Sequence, residues 1–153
     1  GWVLQLTYTV VGDVNQLCLP APAHPECADG LWTRTCFEAF FSEAASSAYR
    51  EFNFSPSTQW AHYRFTQERV RDTRTPALAT PVVHKPASTA DRLTMAATVA
   101  ATPVEYPETL FAPTAVLELT DGSLSYWAAN HLAPQPDFHA RAGWTIPLRW
   151  AVV

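Results

Sequence analysis

Between positions 34 and 64 the chain carries Arg34, Glu38, Glu51, Asn53, Trp60, His62 and Arg64, a set whose types suit recognition of a polar ligand. Guanidinium forks donate, carboxylates accept and an amide does both, which together answer the mixed donor and acceptor character of a sugar hydroxyl. A neighbouring indole stacks on the apolar C–H face of a pyranose. The chain has six Trp in 153 residues, and Trp32, Trp60 and Trp127 stand near turns or at polar positions rather than in the apolar phase of the sequence. Large aromatics also fill cores, so the set carries more weight than any one member.

Glu38 and Glu51 are also the pair that would serve a glycoside hydrolase, as acid and base or nucleophile, if facing strands held them at the right separation. The competing reading is that they balance Arg34, Arg50 or Arg64 on a polar sheet face, and no catalytic residue is assigned. A second constellation lies in the connection 129–139, where His131, Asp137 and His139 have donor atoms for a metal. Their spacing matches no compact metal motif, Pro134 and Pro136 stiffen the segment, and turn capping or backbone hydrogen bonds account for these side chains. Met95, the one methionine, falls in an apolar alternation and offers no exposed thioether to pair with a histidine on haem iron. The expectation is a protein without metal or cofactor. Gly-rich phosphate loops, a Gly-x-Ser-x-Gly elbow, Cys-x-x-Cys and His-Glu-x-x-His are all absent from the sequence.

These side chains need strands to position them, and period-two alternation recurs along the chain. Trp2, Leu4, Leu6, Tyr8 and Val10 share one phase and Gln5, Thr7 and Thr9 the other. Thr35, Phe37, Ala39 and Phe41 form a core phase opposite Arg34, Cys36, Glu38 and Phe40. Residues 42–48, rich in Ala, Ser and Glu, have the composition of a helical turn. Residues 49–54 and 60–65 flank Ser55-Pro56-Ser57-Thr58-Gln59 and read as a hairpin, with Glu51 and Asn53 placed on the same mixed face as Trp60, His62 and Arg64. Pro81 to His84 reads as a short edge strand, and alternation resumes at Leu93, Met95, Ala97 and Val99, then at Ala115, Leu117 and Leu119. Asp121-Gly122 turns the chain into 124–128, and the last strand sets Trp144, Ile146, Leu148 and Trp150 on one face. Eight or nine short antiparallel strands predict an all-β fold, a two-sheet β-sandwich of jelly-roll or immunoglobulin-like type.

Hydrophobic residues at 48% and charged residues at 16% exclude disorder, and 153 residues fit one domain spanning 1–153. A net charge of −4 attracts neither phosphate backbones nor anionic lipid, so nucleic acid and membrane are not expected partners. Cys18, Cys27 and Cys36 recur every nine residues, an odd count that cannot pair completely. Reduced thiols in a cytoplasmic protein are the simpler reading; a Cys18 to Cys27 bridge is the alternative in an exported one.

The run Asp29-Gly30-Leu31-Trp32-Thr33-Arg34-Thr35-Cys36-Phe37-Glu38 is followed by Glu51-Phe52-Asn53-Phe54-Ser55-Pro56-Ser57 with Gln59-Trp60-Ala61, then Tyr126-Trp127-Ala128 and Pro136-Asp137-Phe138-His139. In this order the blocks resemble bacterial DOMON-like domain proteins, which are similar in turn to family 9 carbohydrate-binding modules. The resemblance implies a β-sandwich that binds either a sugar or haem. It carries over Trp32, Arg34, Glu38, Asn53, Trp60, Trp127, Asp137 and His139, while Cys27 and His62 depart from the pattern. The leading expectation is a non-enzymatic domain that holds a small polar ligand, a saccharide first, on Trp32, Arg34, Glu38, Asn53, Trp60, His62, Arg64, Trp127, Asp137 and His139. The alternatives are a hydrolase using Glu38 and Glu51, a haem-binding domain, and a protein-interaction domain.

Overall fold

The computed structural model describes residues 2–43, 46–75, 79–101 and 108–149. Strands β1 (Trp2–Val11), β2 (Cys36–Ser42), β3 (Tyr49–Phe54) and β4 (Trp60–Gln67) open the chain. Three two-residue strands follow, β5 (Val70–Arg71), β6 (Val82–Val83) and β7 (Ala87–Ser88). Then come β8 (Arg92–Ala101), β9 (Glu108–Glu118), β10 (Leu124–Ala128) and β11 (Ile146–Arg149). Single-turn 3-10 helices at Val14–Gln16, Leu31–Thr33 and Arg141–Gly143 interrupt them.

Among the described residues all strand pairings are antiparallel and make two sheets, and an isolated bridge between Cys27 and Trp60 is parallel. The smaller holds β1, β8 and β6 in order, with β7 also on β8; the larger runs β10-β9-β2-β3-β4-β5, with β11 on β9. The fold is the predicted all-β, two-sheet sandwich. Among the described residues no helix is long and apolar enough to cross a membrane.

The alternation of β1 works as read: Leu6 is buried, Leu4, Tyr8 and Val10 pack on the core, and β8 faces them with Leu93, Met95, Ala97 and Val99. The larger sheet answers from Phe37, Ala39, Phe41, Phe52 and Phe54. Strand β2 departs from half-burial, since all seven of its residues are buried. Its outward Phe40 belongs to a second apolar cluster with Tyr49, Phe65, Ala112 and Trp144. Period two assigns residues to faces but cannot say that both faces are covered.

Trp144 shows the same limit. It was expected to share a face with Ile146 and Leu148, yet it precedes β11, at the end of the turn Arg141–Gly143, and its ring joins the outer cluster while Ile146 and Leu148 pack on the inner one. Its indole N–H donates to the Phe138 carbonyl at 2.9 Å. Trp150 lies outside the described residues, as do residues 44 and 45 of the expected helical turn. Around that gap Glu43 and Ala48 are tied by a backbone hydrogen bond of 3.0 Å that closes the β2–β3 connection.

The hairpin through Ser55–Gln59 forms as expected, with Thr58 in the left-handed region at φ 78°. Gly122, at φ 83°, turns β9 into β10, a conformation that a side chain resists. All three cysteines are free, with Cys36 buried and Cys27 exposed.

Phe37 sits between the sheets at 1% exposure, 5.1 Å from the Tyr8 ring. Phe37→Ala is expected to cost about 3–5 kcal/mol of stability in urea unfolding. Val3→Ala, at a position 63% exposed, should change it by less than about 0.5 kcal/mol.

Candidate functional site

Residues directly opposite one another in a ladder share a face of the sheet. The pairs Glu38↔Asn53, Glu38↔Thr114 and Phe40↔Glu51 therefore place Glu38, Glu51 and Asn53 together on the outer face of the larger sheet. The pairs Phe52↔His62, Phe54↔Trp60 and Arg50↔Arg64 place His62, Trp60 and Arg64 on the inner face. The single mixed face expected from sequence is thus divided. The five-residue turn sets a register in which β4 presents Ala61, Tyr63 and Phe65 to the outer face.

On the inner side each residue has a local partner. The His62 ring stacks on Phe52 at 4.1 Å, and neither ring nitrogen has a hydrogen-bond partner among the described residues. Burial, reinforced by the Arg50 charge and only weakly opposed by the Ala79 backbone, lowers its pKa to about 4. Trp60 packs on the main core. Arg64 grips both carboxylate oxygens of Glu43 at 3.0 Å and also reaches Asp72 at 2.8 Å. Trp127 shares its face with Ala115 and is 59% exposed, with its indole N–H held by Ser125 at 2.8 Å.

On the outer side is a cavity of about 490 Å³. Glu38, Phe40 and Glu51 form its floor, Trp32 and Tyr126 its rim, and Arg69 of the β4–β5 turn and Arg71 of β5 reach it. The wall across from them is Pro136, Phe138 and His139, from the connection that follows β10. Of the predicted set, the structure brings Trp32, Glu38 and His139 together here. Asn53 lies beneath with no exposure and donates to Glu51 Oε1 at 2.8 Å. Asp137 stands at the margin, bonded to Arg69 at 2.7 Å, and Arg34 is ion-paired with Glu118 outside the cavity.

The electrostatics follow from burial. Glu38, 2% exposed, accepts a 2.8 Å hydrogen bond from Thr114. Its pKa is nevertheless raised to about 8, first by loss of solvent and then by the neighbouring Glu51 charge. At neutral pH Glu38 is therefore largely a neutral acid able to donate. Burial raises Glu51 as well, opposed by the Asn53 hydrogen bond and the Arg71 and Arg69 charges.

His139 packs edge-on against Phe40 and Phe65, and burial and Arg69 take its pKa down to about 4. The Tyr49 hydroxyl accepts from the Arg69 backbone N–H at 3.0 Å and is hydrogen-bonded to His139 Nδ1 at 2.6 Å. The other ring nitrogen, Nε2, faces Glu51 Oε2 at 3.7 Å. The imidazole is thus an oriented wall of the cavity. Among the described residues no three His, Cys, Asp or Glu side chains converge on a metal position. Met95 is buried between the sheets, whereas His131 lies near Phe138 and His139 lines the cavity on the far side of the larger sheet. Met95 and either histidine therefore have no common place for one iron.

Arg69 and Arg71 escaped the sequence reading, which held Tyr126 and Phe138 only within the blocks of family resemblance and not as site residues. The two arginines lie on a tight turn and a two-residue strand, too short for alternation to register, and the ladder is irregular between Phe65 and Gln67. One signal exists in the structure: Arg69 holds φ 59°, an uncommon backbone for a non-glycine residue and one that often marks functional positions.

No family model matches the chain, and no curated protein matches it. Among solved structures the chain is similar to the crystal structure of a candidate carbohydrate-binding protein from Bacteroides uniformis, with a TM-score of 0.59 at 11% identity, over 93% of this chain and 70% of that one. The likeness is one of fold.

Proposed function

We propose that this protein binds a saccharide in the outer cavity of the seven-stranded sheet. The observation that carries the reading is a cavity with an aromatic rim over a floor of two buried carboxyl groups, walled by arginines. A neutral Glu38 donates, Glu51 accepts, and Arg69 and Arg71 add forked donors, which matches the alternating demands of sugar hydroxyls. Trp32, held edge-on by Tyr63 at 5.8 Å and 37% exposed, supplies a stacking surface. The volume lies in the range of small-molecule sites and suits a mono- or disaccharide. The structural similarity to a candidate carbohydrate-binding protein supports the reading, as does the resemblance to DOMON-like proteins and family 9 carbohydrate-binding modules.

A second reading, glycoside hydrolysis, has one observation in its favour. Glu38 and Glu51 are diagonal neighbours on adjacent strands and face the same cavity, with the first held protonated as a general acid requires. Binding without turnover remains the primary reading. A glycan array followed by titration of Trp fluorescence separates the two. A saccharide that binds unchanged supports binding; release of the reducing end, lost in both Glu38→Gln and Glu51→Gln, supports hydrolysis. Trp32→Ala should weaken binding at least about tenfold, near 1.4 kcal/mol, whereas Trp127→Ala on the opposite face leaves it unchanged. Silence toward every sugar at millimolar concentration would sink the proposal.

The raised Glu38 pKa also gives a signed pH dependence. The folded state holds a proton that the unfolded chain releases above its ordinary value of 4.5, so this stability is lost as pH rises through about 8. His62 and His139, both lowered to about 4, act in the opposite sense and lose stability only below about 6.5. Between about pH 6.5 and pH 8 urea midpoints should fall by the equivalent of about 1 kcal/mol, since the Glu38 loss at 1.36 kcal/mol per unit is partly offset by the two histidines, half protonated in the unfolded chain at pH 6.5. Glu38→Gln, which mimics the neutral acid, should flatten that slope.

A further inference from the structure

The two sheets are unequal, and the mismatch leaves part of the larger one uncovered. The Tyr8 ring of β1 packs on Phe37 of β2 and Phe54 of β3, and its hydroxyl donates to the Glu38 carbonyl at 2.7 Å. Edge strand β1 therefore lies over β2 and β3, so β9 and β10 extend past it, and among the described residues no strand of the smaller sheet lies above them. A groove of about 490 Å³ occupies that overhang. One wall is Leu6 to Val11, six consecutive residues of both phases, so the wall is the edge of β1 and not its face. The floor takes alternate residues of β9, Phe111, Pro113, Ala115 and Leu117, and Trp127 forms the far rim. A smaller hollow of about 180 Å³ continues it past Trp127.

Sheet edges are normally blunted against pairing. The opposite edge of this sheet is blunted: β6 and β7 are two residues each, preceded by Pro81 and Pro86 respectively, with Lys85 between them. β1 has ten residues and neither proline nor charge. On its free side half of its N–H and C=O groups have no partner strand among the described residues.

We infer that this groove receives an extended, uncharged polypeptide segment of a partner, which pairs with β1 as an added strand and lays alternate apolar side chains on β9 and Trp127. Six residues of strand edge are about 20 Å long, the span of an ordinary strand. No ionisable carboxylate or ammonium lines the groove, so a charged segment would lose its solvent for nothing, whereas alternating apolar and hydroxyl residues match both the dry floor and the open side. The overhang disfavours a second copy paired β1 to β1 about a two-fold axis, because both projecting β9–β10 edges would meet beneath that axis. The inference is independent of the sugar site, which faces the other side of the larger sheet.

The test uses the full chain and a synthetic peptide of alternating Val and Thr with lysines at its ends for solubility. Amide hydrogen exchange should slow at least about tenfold at those β1 amides that β8 leaves free, and Trp127 emission should shift to the blue. The same peptide N-methylated at every residue should give no protection, and Trp127→Lys should weaken binding several-fold with an unchanged urea midpoint. Unaltered β1 exchange at peptide saturation would overturn the inference. So would equal binding of the N-methylated peptide, or β1 amides protected in the free protein through a concentration-dependent dimer.

Discussion

Burial of β2 on both faces is the constraint on which the rest of the structure depends. A central strand of a two-layer sandwich needs one apolar face; this one has Phe37, Ala39 and Phe41 inward and Phe40 outward, each in its own cluster. Covering the outer face requires a second layer there, which the segment after β10 supplies by docking Phe138, His139 and Trp144 over the sheet. That layer stops short of Glu38 and Glu51, and the shortfall is the cavity. The carboxyl groups are consequently walled on several sides and open on one. Both are raised in pKa for this reason, and removing the floor aromatic Phe40 would alter their solvation as well as the packing.

Much of the strand framework was legible because each half-buried strand writes its faces as alternation. β1 and β8 are plain cases, with threonines outward and Leu, Met and Val inward. The phase of one strand relative to the next was not legible. Placing Trp60, His62 and Arg64 with Glu51 assumed a register that the turn at Ser55–Gln59 does not give, and a slip of one residue exchanges faces for a whole strand. Trp144 was misassigned for a related reason, since alternation was extended past the start of β11 into a helical turn. Arg69 and Arg71 depend on a tight turn and a short irregular pairing, where no periodic signal exists.

The connection 129–139 illustrates how composition can offer an assembly that the fold does not make. His131, Asp137 and His139 have metal-ligating atoms, but the fold separates them. Asp137 pairs with Arg69, and His139 turns to Tyr49 and Glu51 while His131 stays at the exposed side of Phe138. An imidazole wedged among Phe40, Tyr49 and Phe65 is held neutral because a charge there would lose its water with a cationic arginine nearby. Neutral and oriented, it closes one side of the cavity.

The two hollows lie on opposite faces of the same sheet, and the backbone between them has little freedom to carry a change from one to the other. β2 is hydrogen-bonded to β3 on one side and β9 on the other along most of its length. Tyr8 adds a tie from the smaller sheet to the Glu38 carbonyl, so the residue whose side chain floors the cavity is anchored by its backbone from the groove side. Moving Glu38 would break two ladders and leave a buried hydroxyl and carbonyl unpaired, a cost of about 1–3 kcal/mol for each such group. A ligand that fits either hollow as it stands gains nothing from that displacement. Occupancy of the groove and of the cavity should therefore be additive, with the strand between them serving as a shared rigid wall and not as a relay.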